Sequence, residues 1–378
     1  MSADADTAMQ RRTAGEARIA KVRGALAEHR LDAVVVYGSG RHSFLRANPC
    51  WYLSGFKQLG ADAAVVVTAD DEPHLLVTPA WDAERAASES WIERVTATRT
   101  LGGAIETLGL RGRHVGIDGL GAASPATAAA VRAAVGGHDV DGLVEATAGV
   151  HDEHALACIR RGVEIAESVV RRACEVARPG LPEAELVAEC AAASFEAGAD
   201  DNFLLMSASQ HNHAVHGPSE RVLFAGDVVL AEISPSVDGQ FSQLCRTFVI
   251  GEPSAKQRSA YDVLQEALAA GLAAVAGGVP VAAVAEAVDG VLARHGYEHY
   301  NRPPYMRTRG HAMGLGAVVP AEISSSSELL LEAGMSFVLH PNQYFPDAGY
   351  LLCGDQVLVE DGGGRSLAQP FDLEAVAG

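Results

Sequence analysis

Four residues in the C-terminal part of the chain have types and settings suited to moving protons: His216, Glu232, His311 and His340. An imidazole with a pKa near about 6.5 can give and take a proton at neutral pH. His216 stands before Gly-Pro in "VHGPSE". His311 follows Gly310 and precedes Gly314, and glycines let the backbone come close to a ligand. Glu232 follows the apolar run "VVLA", which puts a carboxylate on a buried strand, costly unless it is partnered. His340 lies in "SFVLHP", where a core histidine is the competing role. Arg307 and Arg309 are two apart, so a strand would put both on one face to grip a substrate carboxylate. Tyr344, with Tyr305 and Trp51, is a candidate for the pocket lining or for the core. Cys245 reads as a small buried group or a nucleophile. The nucleophile needs a lowered pKa, and Arg246 beside it points the other way along a strand. "SQHNHAVH" adds His211 and His213, either a metal pair or loop histidines.

The elements around these residues fall into two textures. Ile19, Val22 and Leu26 have helical spacing within residues 15–30. "LDAVVVYG", "CWYLSGF", "ADAAVVVTAD" (61–70), "EPHLLVTP" and "HVGIDG" continue as strand-like runs, followed by a helix over 124–137. Alternating strands and helices predict a smaller α/β domain over 1–148. Residues 149–378 instead show two long helices and then β-type runs, twice over, which suggests an internal duplication of α+β halves. A pocket between such halves would draw side chains from both.

The chain has 378 residues and a net charge of −19, which disfavours nucleic acid and anionic membranes as partners. Six cysteines without a Cys-x-x-Cys pair predict reduced thiols and a cytoplasmic setting. The N-terminal segment is polar with no apolar signal core, and no apolar run is long enough to span a bilayer. High Ala, Gly and Arg usage resembles that of a GC-rich bacterial gene.

The segments "VRGALAEHRLDAVVVYG", "CWYLSGF", "HDEHALACIRRGVEIA", "HGPSERVLFAGDVVLAEIS", "DGQFSQLCRTFVIG", "RGHAMGLG", "EAGMSFVLHPNQYF" and "GDQVLVEDGG" together resemble the creatinase/Xaa-Pro aminopeptidase/methionine aminopeptidase superfamily. The resemblance implies a pita-bread C-terminal domain behind a creatinase-type N-terminal domain, and a homodimer. It also implies five positions that hold two divalent metals in the peptidases. Here they fall on Glu232, Gln243, His311, His340 and Gly354, with Asp355 next to the last. Four carboxylates and a histidine have become one carboxylate, two histidines, an amide and no side chain. Two dications would leave about three uncompensated charges in a buried site, so a metal pair is not expected. The family's second pocket histidine is Val318, followed by Val319, so an apolar wall is expected there. His216 matches the catalytic histidine of creatinase, while Cys245 and His340 stand where its substrate-gripping glutamates do. Its substrate arginine has no match beyond Lys57 nearby.

The resulting expectation is a metal-independent, creatinase-like hydrolase without cofactor that cleaves a C–N bond in a small polar molecule. His216 would be its general acid/base, Glu232, His311 and His340 its other catalytic groups, and Cys245, Gln243, Arg307, Arg309 and Tyr344 its substrate contacts. Three alternatives stay open. One is a lyase using the same residues. Another is a mononuclear enzyme with one divalent transition metal on Glu232, His311 and His340. The last is a pita-bread binding protein without chemistry.

Overall fold

The computed structural model describes residues 3–40, 43–59 and 62–376. Residues 1 and 2 of the polar N-terminal segment and residue 61 of the expected strand 61–70 lie outside them. The chain divides into two compact units, Met1–His154 and Ala155–Gly378.

The first unit runs α1 (Ala3–His29), β1 (Ala33–Ser39), α2 (Pro49–Ser54), β2 (Asp62–Thr68), β3 (His74–Val77), α3 (Ala83–Glu89), β4 (Arg94–Ala97), α4 (Leu101–Glu106), β5 (Val115–Asp118), α5 (Pro125–Val135), β6 (His138–Asp139) and α6 (Leu143–Thr147). Its six strands form one sheet in the order β4-β3-β2-β1-β5-β6. The valine run of β1 is buried and lies at the centre, antiparallel to β2 and parallel to β5. Ile19, Val22 and Leu26 form the buried stripe of α1, as their spacing predicts. "CWYLSGF" departs from the strand expectation and is helical. Asn48 caps Trp51 N–H at 3.0 Å, Pro49 opens the first turn, and Gly55 closes it at φ 72°. Caps outweigh an apolar run this short.

In the second unit the order is α7 (Glu153–Val176), α8 (Glu183–Glu196), β7 (Asp201–Ser209), β8 (Val228–Val237), β9 (Gln240–Phe241), β10 (Leu244–Ile250), α9 (Ala255–Ala274), α10 (Val281–Arg294), β11 (Gly310–Ala312), β12 (Ser336–Leu339), β13 (Gln343–Phe345), β14 (Gly349–Leu351), β15 (Asp355–Glu360), β16 (Gly363–Ser366) and β17 (Glu374–Val376). The helix-pair-then-sheet pattern occurs twice, as the sequence suggests. The first half packs Val163, Ala166, Val170 and Leu186 against Ala231, Leu244 and Phe248 of the sheet β17-β10-β8-β7. The second half builds the sheet β11-β12-β15-β16. In it α9 starts at a capping box, Ser254 and Gln257 each bonding the other's backbone N–H.

A backbone bridge joins the two sheets. Cys245 at the start of β10 and Gly354 just before β15 exchange both backbone hydrogen bonds at 3.0 Å. That bridge fixes the distance between whatever each half presents at the seam. Among the described residues, no helix is long and apolar enough to cross a membrane.

Candidate active site

The seam gathers five of the expected residues. Glu232 of β8 lies directly opposite Cys245 of β10 in an antiparallel pair, so the two share a face. Gln243 is on that face too, its Nε2 3.8 Å from Cys245 Sγ. Across the bridge, Gly354 backs onto His340. A Cβ built on Gly354 would lie 2.5 Å from His340 Cβ and 2.9 Å from the Leu339 carbonyl oxygen. Position 354 therefore has no room for any side chain. The His340 ring then meets His311 edge-to-face, with centroids 5.7 Å apart at 70°.

Burial acts on these groups in opposite directions. It raises Glu232 to about 7, by desolvation of the carboxylate. It lowers His340 to about 3, helped by His311, and lowers His311 as well. Both effects disfavour the charged form, which is an anion in one case and a cation in the other. Burial thus favours the neutral form of both rings. The Glu232 carboxyl is thereby brought toward the neutral range. Burial also pushes the Cys245 thiol well above its ordinary range, opposite to what a nucleophile needs.

His216 is set apart from this chain of contacts. It lies exposed on the segment between β7 and β8, its backbone N–H reaching Ser207 Oγ at 3.3 Å and its Nδ1 2.7 Å from the Gly217 carbonyl. Tyr344 bonds His211 Nε2 through its hydroxyl at 3.1 Å and stacks on His213 and Tyr305 at centroid distances of 5.5 Å. The histidines 211 and 213 are thus part of an aromatic cluster. Trp51 is buried in the first unit. Val318 is half-buried, with a left-handed φ of 78°, and Val319 is 37% exposed, so that wall partly faces outward.

The expected arginine fork does not form. Arg307 is exposed and paired with Glu322. Arg309 is 2% exposed, ion-paired to Asp289 at 2.6 Å, and bonded to the Asn342 carbonyl and Gln343 Oε1 at 3.0 and 3.1 Å. Residues two apart share a face only in a regular strand, and β11 begins at Gly310, after both arginines.

Two residues that hold the seam escaped the sequence reading. Arg246 donates to the Cys245 and Gly354 carbonyls and pairs with Asp355 at 2.9 Å, bonding both strands of the bridge. Gln356 accepts the Gln243 N–H at 3.0 Å and donates to Ser336 Oγ at 2.6 Å. Arg246 has a signal in the sequence, a lone basic residue inside an apolar strand run, because such a charge must be answered from elsewhere.

A metal pair does not fit these residues. Gly354 cannot carry a ligand, and Gln243 turns its Nε2 toward Cys245. Glu232, His311 and His340 are not, among the described residues, a group whose ligand atoms all lie within 4.8 Å of one another.

Comparison with known proteins agrees with the architecture. Residues 157–361 match the model for metallopeptidase family M24, and residues 18–147 match the creatinase/prolidase N-terminal domain. The chain is 30% identical over 231 residues to the probable dipeptidase PepE of Mycobacterium tuberculosis, 60% of each chain. It thus spans about 60% of the length of the curated relatives it matches. The prolidase from Pyrococcus horikoshii OT3 superposes with a TM-score of 0.81 at 22% identity, covering 94% of this chain and 99% of that one. Dipeptidase PepE from Mycobacterium ulcerans gives 0.79 at 24% identity, covering 97% and 99%. These relatives are named as dipeptidases and prolidases rather than creatinases, so the creatinase-like emphasis gives way to the broader superfamily.

Proposed function

The chain belongs to metallopeptidase family M24, and on that premise we propose that it is a hydrolase of C–N bonds in a small polar molecule, working without a metal pair and with Glu232 as its proton carrier. One observation carries this. Of the five positions that would bind metal, only Glu232 keeps a carboxyl, and burial holds it near 7, where a general acid/base works best at neutral pH. The relatives' names supply the reaction type, cleavage of an amide C–N bond.

In the step itself, the Glu232 carboxylate takes a proton from water as the water oxygen bonds to the carbonyl carbon. The C–N bond then breaks as the Glu232 carboxyl returns that proton to the leaving nitrogen. His311 and His340, kept neutral by burial, orient the substrate by hydrogen bonds. His216 is the rival proton carrier, since its exposed ring faces solvent. We place the protein in the cytoplasm as a homodimer, which light scattering on the purified chain checks.

The test is turnover of a panel of dipeptides and N-acyl amides by the full chain. Glu232→Gln is expected to lose about 10²–10⁴-fold in kcat, the range of general acid/base catalysis, and His216→Asn less than about tenfold. Activity is expected to survive exhaustive chelation. Loss on chelation, with recovery on one added transition metal, would replace this reading with the single-metal one.

A further inference from the structure

A second cluster of metal-binding side chains lies away from the seam. His154 and Cys158 are four residues apart on α7, so they stand one turn apart on one face of an unbroken helix. Asp238 meets them from the turn between β8 and β9. Asp238 and Gly239 both have left-handed φ, 48° and 74°, as a tight two-residue hairpin turn requires. Gly239 N–H donates to Asp200 at 3.1 Å, which holds the turn in place. Ser242 Oγ, just after β9, donates to the Ile159 carbonyl at 2.7 Å, which seats this hairpin on α7 beside Cys158.

A nitrogen of His154, the sulfur of Cys158 and a carboxylate oxygen of Asp238 all lie within 4.8 Å of one another. Among the described residues, no other group of three or more His, Cys, Asp or Glu has this spacing. In a tetrahedral zinc site with bonds of about 2.0–2.3 Å, ligand atoms stand roughly 3.3–3.8 Å apart. The fold therefore brings the three donors to at most about 1.5 Å beyond the spacing such an ion needs.

Charge and donor type select the ion. The Cys158 thiolate and the Asp238 carboxylate balance one dication, with His154 as a neutral imidazole, so the loaded site carries no net charge. That balance matters because Cys158 is only 6% exposed. The seam fails the same count, with one carboxyl for two dications. Sulfur and imidazole favour zinc, whereas magnesium and calcium take oxygen ligands. From this we infer that His154, Cys158 and Asp238 form a mononuclear zinc site, its fourth position left to water, that pins the start of α7 to the β8–β9 turn. Binding releases the Cys158 thiol proton to solvent as the zinc–sulfur bond forms. The extended strand from Glu232 to Val237 spans roughly 17 Å, so the ion is remote from proton transfer at Glu232. The site stands independently of the hydrolase reading.

Cobalt(II), a coloured substitute for zinc, is the probe, titrated at neutral pH into the untagged full chain after chelator treatment. One equivalent is expected to give the intense visible bands of a four-coordinate ion and a sulfur-to-cobalt charge-transfer band. Zinc is expected to abolish both, since it binds such a site more tightly. Cys158→Ser is expected to lose the charge-transfer band. His154→Gln and Asp238→Asn are each expected to weaken binding at least about tenfold, because even a residue that only supports a ligand costs that much when removed. Glu232→Gln is expected to bind cobalt like the parent chain. Zinc is expected to raise the melting temperature of the parent and not of Cys158→Ser. No charge-transfer band at one equivalent overturns the inference, as does a band that persists in Cys158→Ser or disappears in Glu232→Gln. If Cys158→Ser does not fold, either of the other two variants binding cobalt like the parent overturns it. Turnover is expected to survive removal of this ion. Loss of turnover on chelation in Cys158→Ser as well would count against metal-free hydrolysis and leave the zinc site standing.

Discussion

The two halves of the second unit have the same plan, a helix pair followed by a sheet, yet they offer the seam opposite chemistry. The first half presents Glu232, Gln243 and Cys245 from β8 and the start of β10. The second presents His311 and His340 from either side of the β11–β12 pair, with Gly354 between them and the bridge. Burial brings the acid of one half into the neutral range, takes His340 of the other out of it and lowers His311 as well. The same low-polarity surroundings therefore decide which half moves protons and which only receives hydrogen bonds.

The comparison can be broken most severely at the residue that holds the halves together. Arg246→Met keeps the length of the side chain but removes the cation paired with Asp355 and one donor from each of two carbonyls. Breaking such a buried pair is expected to cost about 3–5 kcal/mol, measured by urea unfolding. A loss under about 1 kcal/mol would mean the bridge does not depend on it.

A sharper test uses the acid of the first half. The folded Glu232 carboxyl has a raised pKa, so its unfavourable ionisation sets in between the ordinary glutamate value of 4.5 and about 7. Its contribution to stability is full below 4.5 and is lost as pH rises through about 7. Glu232→Gln lacks that titration. It is expected to be more stable than the parent above pH 7 by on the order of 3 kcal/mol, and equally stable at pH 4. Parallel stability curves for the two proteins would show that the carboxyl is not held near neutrality. His340 predicts the opposite slope, because its lowered pKa removes stability as pH falls from 6.5 toward about 3. His340→Gln should flatten that acid limb.

Packing between the halves gives a smaller effect. Gly354→Ala pushes a methyl group to within 2.5 Å of His340 Cβ. It is expected to cost about 1–3 kcal/mol, as overpacking does. An unchanged melting temperature would mean that the seam yields easily and that glycine there is not required. Smallest of all is Arg307→Ala. An exposed ion pair with Glu322 predicts a change under about 0.5 kcal/mol and no loss of substrate affinity. Weakened binding in that variant would restore part of the discarded fork.

Much of this was readable in residue order. The α1 stripe, the buried β1 run and the repeated helix-pair pattern depend on local periodicity, and the folded chain keeps each of them. The loss of carboxylates from the five positions was equally plain, because it is a matter of residue type. The helical turn at 49–54 was not, since three capping residues there outweigh an apolar run that resembles a strand. The separation of Arg307 from Arg309 was also hidden, because it depends on where a strand begins.

Residue types along the chain determined that two halves would face each other with one acid and two imidazoles, since periodicity and composition are local properties. Only the tertiary structure decided what those groups can do. A pKa depends on how much water surrounds a group and which charges stand near it, and the room at position 354 depends on a side chain fourteen residues earlier that the fold brings to within contact.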